Sequence, residues 1–192
     1  MLSTYLDYLT ISKIVNVIKY LLDLRIRSSV VSSFPPTLGF QPSAYCNGNC
    51  RLCPVGLGIK GYQKGFMSFE TFKKVVDDAK KYLIKVYLAD WGEPFLNPDV
   101  FRMIKYVKEQ GIMTSASTNL HFFKNADDFR KLIDSGLSEL TISLHGASQK
   151  TYETYQPGKS FSETIKKIKL INELKRQMGS SKPVIFVGFR RY

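Results

Sequence analysis

From residue 38 onward the chain alternates short apolar runs with amphipathic segments, and this alternation limits its fold more than any other feature. The runs at 38–45 (LGFQPSAY), 83–90 (LIKVYLAD), 112–119 (IMTSASTN), 138–146 (SELTISLHG) and 182–192 (KPVIFVGFRRY) read as strands, being short and rich in β-branched and aromatic residues. Between them, 67–82, 97–111, 125–136 and 160–179 carry helical periodicity. Ser68 is placed as an N-cap, Asn97 opens a helix ahead of Pro98, and Gly111, Gly136 and Gly179 stop helices. Strict alternation implies right-handed βαβ units and a parallel sheet. A barrel and an open doubly wound sheet both satisfy it, and in either the chemistry gathers at the carboxyl ends of the strands. Cys46, Trp91, Glu93, Asn119, Ser143 and His145 all fall at such ends.

Residues 2–27 read as an amphipathic helix, and Pro35 and Pro36 end it in a linker. The expected division is therefore 1–37 for the helix and linker and 38–192 for the α/β core. Such a helix could lie on a membrane surface as a peripheral contact; packing on the domain is the favoured reading. The start MLSTYLDYLT has no basic region or cleavage site, so no secretory signal is expected. No run of 18 apolar residues occurs, so no membrane-spanning helix is expected either.

At 44% hydrophobic and 13% aromatic, the chain can build a core, which excludes a disordered protein. The net charge of +12 admits an anionic partner. Its lysines are spread over predicted helices (Lys73, Lys74, Lys80, Lys81, Lys166, Lys167, Lys169), so solvated helix faces account for them better than a binding patch. No aromatic–basic RNA motif is present, and nucleic acid is not the expected partner.

All three cysteines lie in CNGNCRLC, residues 46–53. An odd, tightly clustered set makes a poor disulfide framework and points to metal in a reducing, cytoplasmic compartment. Structural zinc takes four ligands, so either His121 or His145 closes a zinc site with Cys46, Cys50 and Cys53, or the three thiolates hold an iron–sulfur cluster with one iron left open. Asn47, Gly48 and Asn49 let the backbone wrap a large object, and Leu52 and Pro54 would shield it from water.

Three stretches together resemble the radical S-adenosylmethionine (radical SAM) superfamily. CNGNCRLC is similar to its C-x-x-x-C-x-Φ-C loop, with Leu52 at Φ. WGEP (91–94) resembles its G-G-E-P segment, with Trp91 for the first glycine. SLHGASQKTYETY (143–155) resembles its fourth-strand stretch, with a Thr-Tyr helix to follow and His145 where Asp is common. The resemblance implies a parallel-sheet partial (βα) barrel, incomplete at about five strands, behind an N-terminal helix. It implies a [4Fe–4S] cluster on Cys46, Cys50 and Cys53, chelated at its open iron by S-adenosyl-L-methionine. Reductive cleavage would give a 5′-deoxyadenosyl radical that takes hydrogen from a substrate, small molecule or peptide, with a flavodoxin or ferredoxin as reductant. Gly92, Glu93, Ser117, Asn119 and Ser143 are the implied S-adenosylmethionine contacts, Glu93 through its carboxylate. No catalytic side chain is implied; His145, Arg190 and Arg191 are left without a settled role. The family core usually has six βα units, so the chain is expected to be truncated. Many relatives with this fourth-strand motif carry a C-terminal auxiliary-cluster (SPASM-type) domain, of which no cysteine appears here. The rival readings are a non-catalytic zinc or iron–sulfur module with a basic surface, and a family member that holds the cluster without turnover.

Overall fold

The computed structural model describes residues 6–27 and 29–189. Five strands, β1 (Thr37–Phe40), β2 (Lys85–Leu88), β3 (Met113–Thr118), β4 (Glu139–Ser143) and β5 (Val184–Gly188), form one sheet in chain order, every neighbouring pair parallel. This is an incomplete (βα) barrel sheet. Its helices are α1 (Ile11–Ile26), α2 (Phe69–Ala79), α3 (Val100–Glu109), α4 (Ala126–Asp134), α5 (Gln149–Tyr155) and α6 (Phe161–Gln177).

Apolar side chains at alternate strand positions face the helices, because side chains in a strand alternate between its two faces. Val86, Leu88, Ala116, Leu140 and Ile142 are buried there against Phe72, Ile104, Val107, Leu132 and Ile171 from the helices. The opposite face is polar and lighter: in register it presents Gly39, Tyr87, Ser115 and Glu139, then Ser117 beside Thr141. Lys85 pairs with Glu139 on this face at 2.5 Å.

Two elements depart from the periodicity. The first strand ends at Phe40 rather than Tyr45, since the chain turns away into the cysteine loop at Gln41-Pro42 and Pro42 has no N–H for the ladder. The seven-residue α5 lies in a stretch that periodicity reads as loop, although the resemblance placed a helix there. Ser148 and Thr151 cap it reciprocally, each side chain bonding the other's backbone N–H.

Helix α1 packs on the domain with its polar side. Lys13, Asn16 and Asp23 are its buried residues. The Lys13 ammonium donates to Gly111 O at 2.7 Å, Asn16 exchanges two 2.8 Å hydrogen bonds with the Phe34 backbone, and Asp23 accepts from Ser33 Oγ at 2.8 Å. Tyr8 lies against Ser138 and Lys182, and Phe34 stacks on Tyr82. These partners immediately precede β3, β4, β5 and β2, so α1 caps the amino ends of the strands.

Two buried side chains join the carboxyl ends. Asn97, read from sequence as a helix opener, donates to Pro42 O (2.7 Å) and Met67 O (2.9 Å), clamping both ends of the cysteine loop; its Oδ1 accepts from Asp99 N. Helix α3 starts only at Val100. Glu93 accepts from Thr118 Oγ1 (2.8 Å) and Asn119 N (2.9 Å). Burial pushes its carboxyl up to about 7, against the pull of these donors.

Asn97→Ala leaves Met67 O without its donor and Pro42 O with Met67 N alone, and urea unfolding is expected to show a loss of about 2 kcal/mol. For Glu93, the folded protein keeps a proton between pH 4.5 and about 7 that the unfolded chain has released. Stability from this group is full below the lower pH and is lost as pH rises through the upper one. Relative to Glu93→Gln, the wild-type protein is expected to lose about 3 kcal/mol across that window, measured as unfolding free energies at stepped pH.

Candidate functional site

The segment from Gln41 to Met67 leaves β1 at its carboxyl end and returns to α2. Ser43 and Phe66 form an antiparallel bridge at its base, and Ala44 N and Met67 N donate to Gly65 O and Pro42 O, each at 2.9 Å. Above this base lie Cys46, Cys50 and Cys53, all half-buried and all unpaired. Cys53 N donates to Cys50 O at 3.2 Å, and Arg51 N reaches across to Tyr155 O at 3.1 Å, so α5 buttresses the loop.

Two of the thiols, those of Cys46 and Cys50, border one small space. A Cβ built on Gly48 would lie 3.5 Å from Cys46 Sγ, 3.6 Å from Cys50 Sγ and 3.4 Å from Asn119 Nδ2. The missing methyl is therefore a cradle between two sulfurs and an amide. Cys46 Sγ accepts from Gly48 N at 3.3 Å and Asn119 Nδ2 at 3.7 Å. Burial pushes the Cys50 thiol up to about 11, with the charges of Cys46 and Cys53 adding to it. Burial likewise raises Cys46, with Gly48 N–H opposing. Thiols that hinder each other's ionisation in this way need a cation among them to ionise together.

No group of three or more His, Cys, Asp or Glu side chains among the described residues is arranged to hold a single metal ion. The histidines are engaged elsewhere. His121 Nε2 lies 3.2 Å from the Tyr152 hydroxyl and 3.4 Å from Gln156 Oε1, and burial with the Lys159 charge lowers its pKa to about 4. His145 packs edge-on against Tyr155. The histidine-closed zinc site is thus left without a placed ligand set.

The WGEP segment lies directly on the cysteine loop. Gly92 has φ 120°, and a Cβ there would come within 2.1 Å of Ser43 O, so a side chain is excluded by both backbone and space. Glu93 N donates to Tyr45 O at 2.8 Å. The Trp91 carbonyl accepts from Gln41 Nε2 at 2.7 Å and Tyr62 OH at 3.3 Å. The Glu93 carboxylate, expected to meet a cationic ligand, lies at 1% exposure with Thr118 and Asn119 donating to its oxygens. The physical reason is that Pro94–Leu96 forms a single 3-10 turn capped by this same side chain.

Of the other expected contacts, Asn119 stands at the thiols, its Nδ2 also donating to Asn47 Oδ1 at 2.9 Å. Ser117 and Ser143 are half-buried at the carboxyl ends of β3 and β4 on the helix-free face. Arg190 and Arg191 lie outside the described residues. Leu52 is 58% exposed and does not shield the loop. Residues the sequence reading passed over are Gln41 and Thr118, whose common signal is a polar side chain at a strand end, Tyr62, a loop residue with no such signal, and Ser115, a buried hydroxyl with no hydrogen-bond partner among the described residues, on the helix-free face.

The profile of the Radical SAM superfamily matches residues 40–188. The AdoMet-dependent heme synthase of Methanosarcina barkeri is 24% identical over 145 residues, covering 74% of this chain and 41% of that protein. The tungsten-containing aldehyde ferredoxin oxidoreductase cofactor-modifying protein of Pyrococcus furiosus is 29% identical over 160 residues, covering 78% and 42%. The chain thus spans about two fifths of the length of these relatives. In fold it is similar to Streptococcus suis SuiB bound to its precursor peptide SuiA, with TM-score 0.63 and 23% identity over 83% of this chain and 35% of SuiB. With its cysteine loop, its WGEP segment and its parallel sheet within one continuous match, the chain belongs to the radical SAM superfamily.

Proposed function

We propose that this protein is a radical SAM enzyme in which Cys46, Cys50 and Cys53 hold a [4Fe–4S] cluster and leave its fourth iron to S-adenosyl-L-methionine. The observation that carries the reading is the cradle at Gly48, where two sulfurs and the Asn119 amide border a space that any side chain would fill. When bound, the cluster supplies the electron that splits the sulfonium C–S bond, giving methionine and the 5′-deoxyadenosyl radical that takes hydrogen from substrate.

The chain's own residues bind and orient. Asn119 donates toward Cys46, and Gly48 N–H adds a second donor, which moderates the charge on that sulfur. Glu93 works at one remove: by holding Asn119 N and Thr118 it sets where the Asn119 amide stands. Gly92, with no side chain, lets the cysteine loop close on the end of β2 beside the ligand. Ser117 and Ser143 offer hydroxyls to its ribose or carboxylate from the helix-free face. The half-exposed loop admits an electron from a flavodoxin or ferredoxin. The substrate is a small molecule or a peptide on the same face, and the work is cytoplasmic.

Anaerobic reconstitution with iron and sulfide is expected to give a brown protein that releases 5′-deoxyadenosine on addition of S-adenosylmethionine and reductant; Cys50→Ala should do neither. Iron bound without 5′-deoxyadenosine would favour a scaffold over an enzyme, and a colourless zinc protein would overturn the reading. A subtler variant is Gly48→Ala. Its Cβ meets neighbours only at ordinary contact distance, so thermal stability should stay within about 0.5 kcal/mol of wild type, while iron and sulfide content after reconstitution falls.

A further inference from the structure

Helix α1 is amphipathic, but it faces the wrong way for a helix that stabilises a core. Its interior side is Lys13, Asn16 and Asp23. Its apolar residues Ile11, Ile14, Val15, Ile18, Leu22 and Ile26 follow one another at short helical steps, share one face and are exposed, Ile11 at 83% and Ile26 at 70%. Just beyond the helix, Val30 is 80% and Val31 68% exposed. Isolated exposed apolar residues are ordinary, but a continuous stripe marks an interaction surface.

The exposed charges that α1 itself sets beside the stripe are of one sign. Lys19 and Arg25 border it and Arg27 follows it, all exposed, while the one carboxylate of α1, Asp23, is turned inward onto Ser32 and Ser33. Lys13 of α1 bonds Gly111, and Phe34, held by Asn16, stacks on Tyr82, which brings α1 to the end of the domain where α2 and α3 finish; Lys81 and Lys108 are exposed there, with Asp78 and Glu109 among them. The result is an apolar stripe flanked by the helix's own exposed basic side chains, at the end opposite the cysteine loop.

We propose that the outward face of α1 docks on an anionic lipid bilayer. Apolar side chains enter the boundary between headgroups and acyl chains, while long basic side chains reach back to lipid phosphates. A second copy of the chain suits the surface less well, because two-fold pairing of the stripe would bring Arg25 and Lys19 against their own like charges in a drying interface. No helix among the described residues is long and apolar enough to cross a membrane, so the contact is with the surface. This seating points the cysteine loop away from the lipid.

The test is flotation of the whole chain with vesicles of phosphatidylcholine alone and of phosphatidylcholine mixed with phosphatidylglycerol. Partitioning is expected on the mixed vesicles, about tenfold weaker on the neutral ones. Ile18→Asp combined with Leu22→Asp should lower it by about tenfold or more with an unchanged far-ultraviolet spectrum. Arg25→Glu alone, which leaves the stripe intact, should weaken binding to mixed vesicles several-fold and bring the two vesicle types closer together. Three results would overturn the proposal: no flotation on either vesicle, equal flotation of the double variant, or a lipid-free dimer that the same double substitution abolishes. None of these readouts depends on iron or on turnover.

Discussion

The backbone contact between Gly92-Glu93 and the cysteine loop is the constraint on which the site depends. Gly92 comes so close to Ser43 O that no side chain could stand there, and the next residue donates its N–H to Tyr45 O. Tyr45 immediately precedes Cys46. The Glu93 side chain then turns inward to Thr118 and Asn119, and Asn119 comes back to Cys46 Sγ. Loop, second strand end and third strand end thus close a circuit of hydrogen bonds around one sulfur. A buried carboxylate is a costly way to make such a tie. It is retained with both oxygens engaged, which fixes the strand ends relative to each other.

The same economy of position appears at the loop's other boundary. Asn97 holds Pro42 and Met67, the residues at which the loop leaves β1 and runs into α2. Between these clamps the loop carries little packing of its own, and several of its apolar residues, Leu52, Leu57 and Ile59, are exposed. A loop held firmly at its base and half-open above can present thiols to a large inorganic group and remain accessible to an electron donor.

The two ends of the sheet have opposite characters. The carboxyl ends carry thiols, amides and hydroxyls on a face free of helices. The amino ends are closed by α1 through lysine, asparagine and aspartate, which leaves an apolar stripe outside. Helix formation itself does not distinguish the two sides; what decides is that the strand-end carbonyls and turn amides at this end need polar partners more than the already complete core needs further aliphatic ones.

Much of the architecture was legible from the residues. Alternation of β-branched runs with capped, periodic segments determined five parallel strands, because a strand that must return parallel needs a helical crossover; their arrangement in chain order, against a doubly wound alternative, was decided by the tertiary structure. Ser68 and Asn125 cap their helices by the hydrogen bonds such side chains make locally. The spacing of three cysteines determined that the metal question would arise at this loop, since thiolates so close have few other uses. Tertiary structure alone decided three further things. It turned Glu93 inward, because burial and the partners at the end of β3 lie far off in sequence. It made Asn97 a clamp rather than a helix opener, since its acceptors Pro42 and Met67 are 55 and 30 residues away. And it set the direction of α1: periodicity reveals that a helix has an apolar face, but which face meets the domain depends on the partners that the assembled strand ends present.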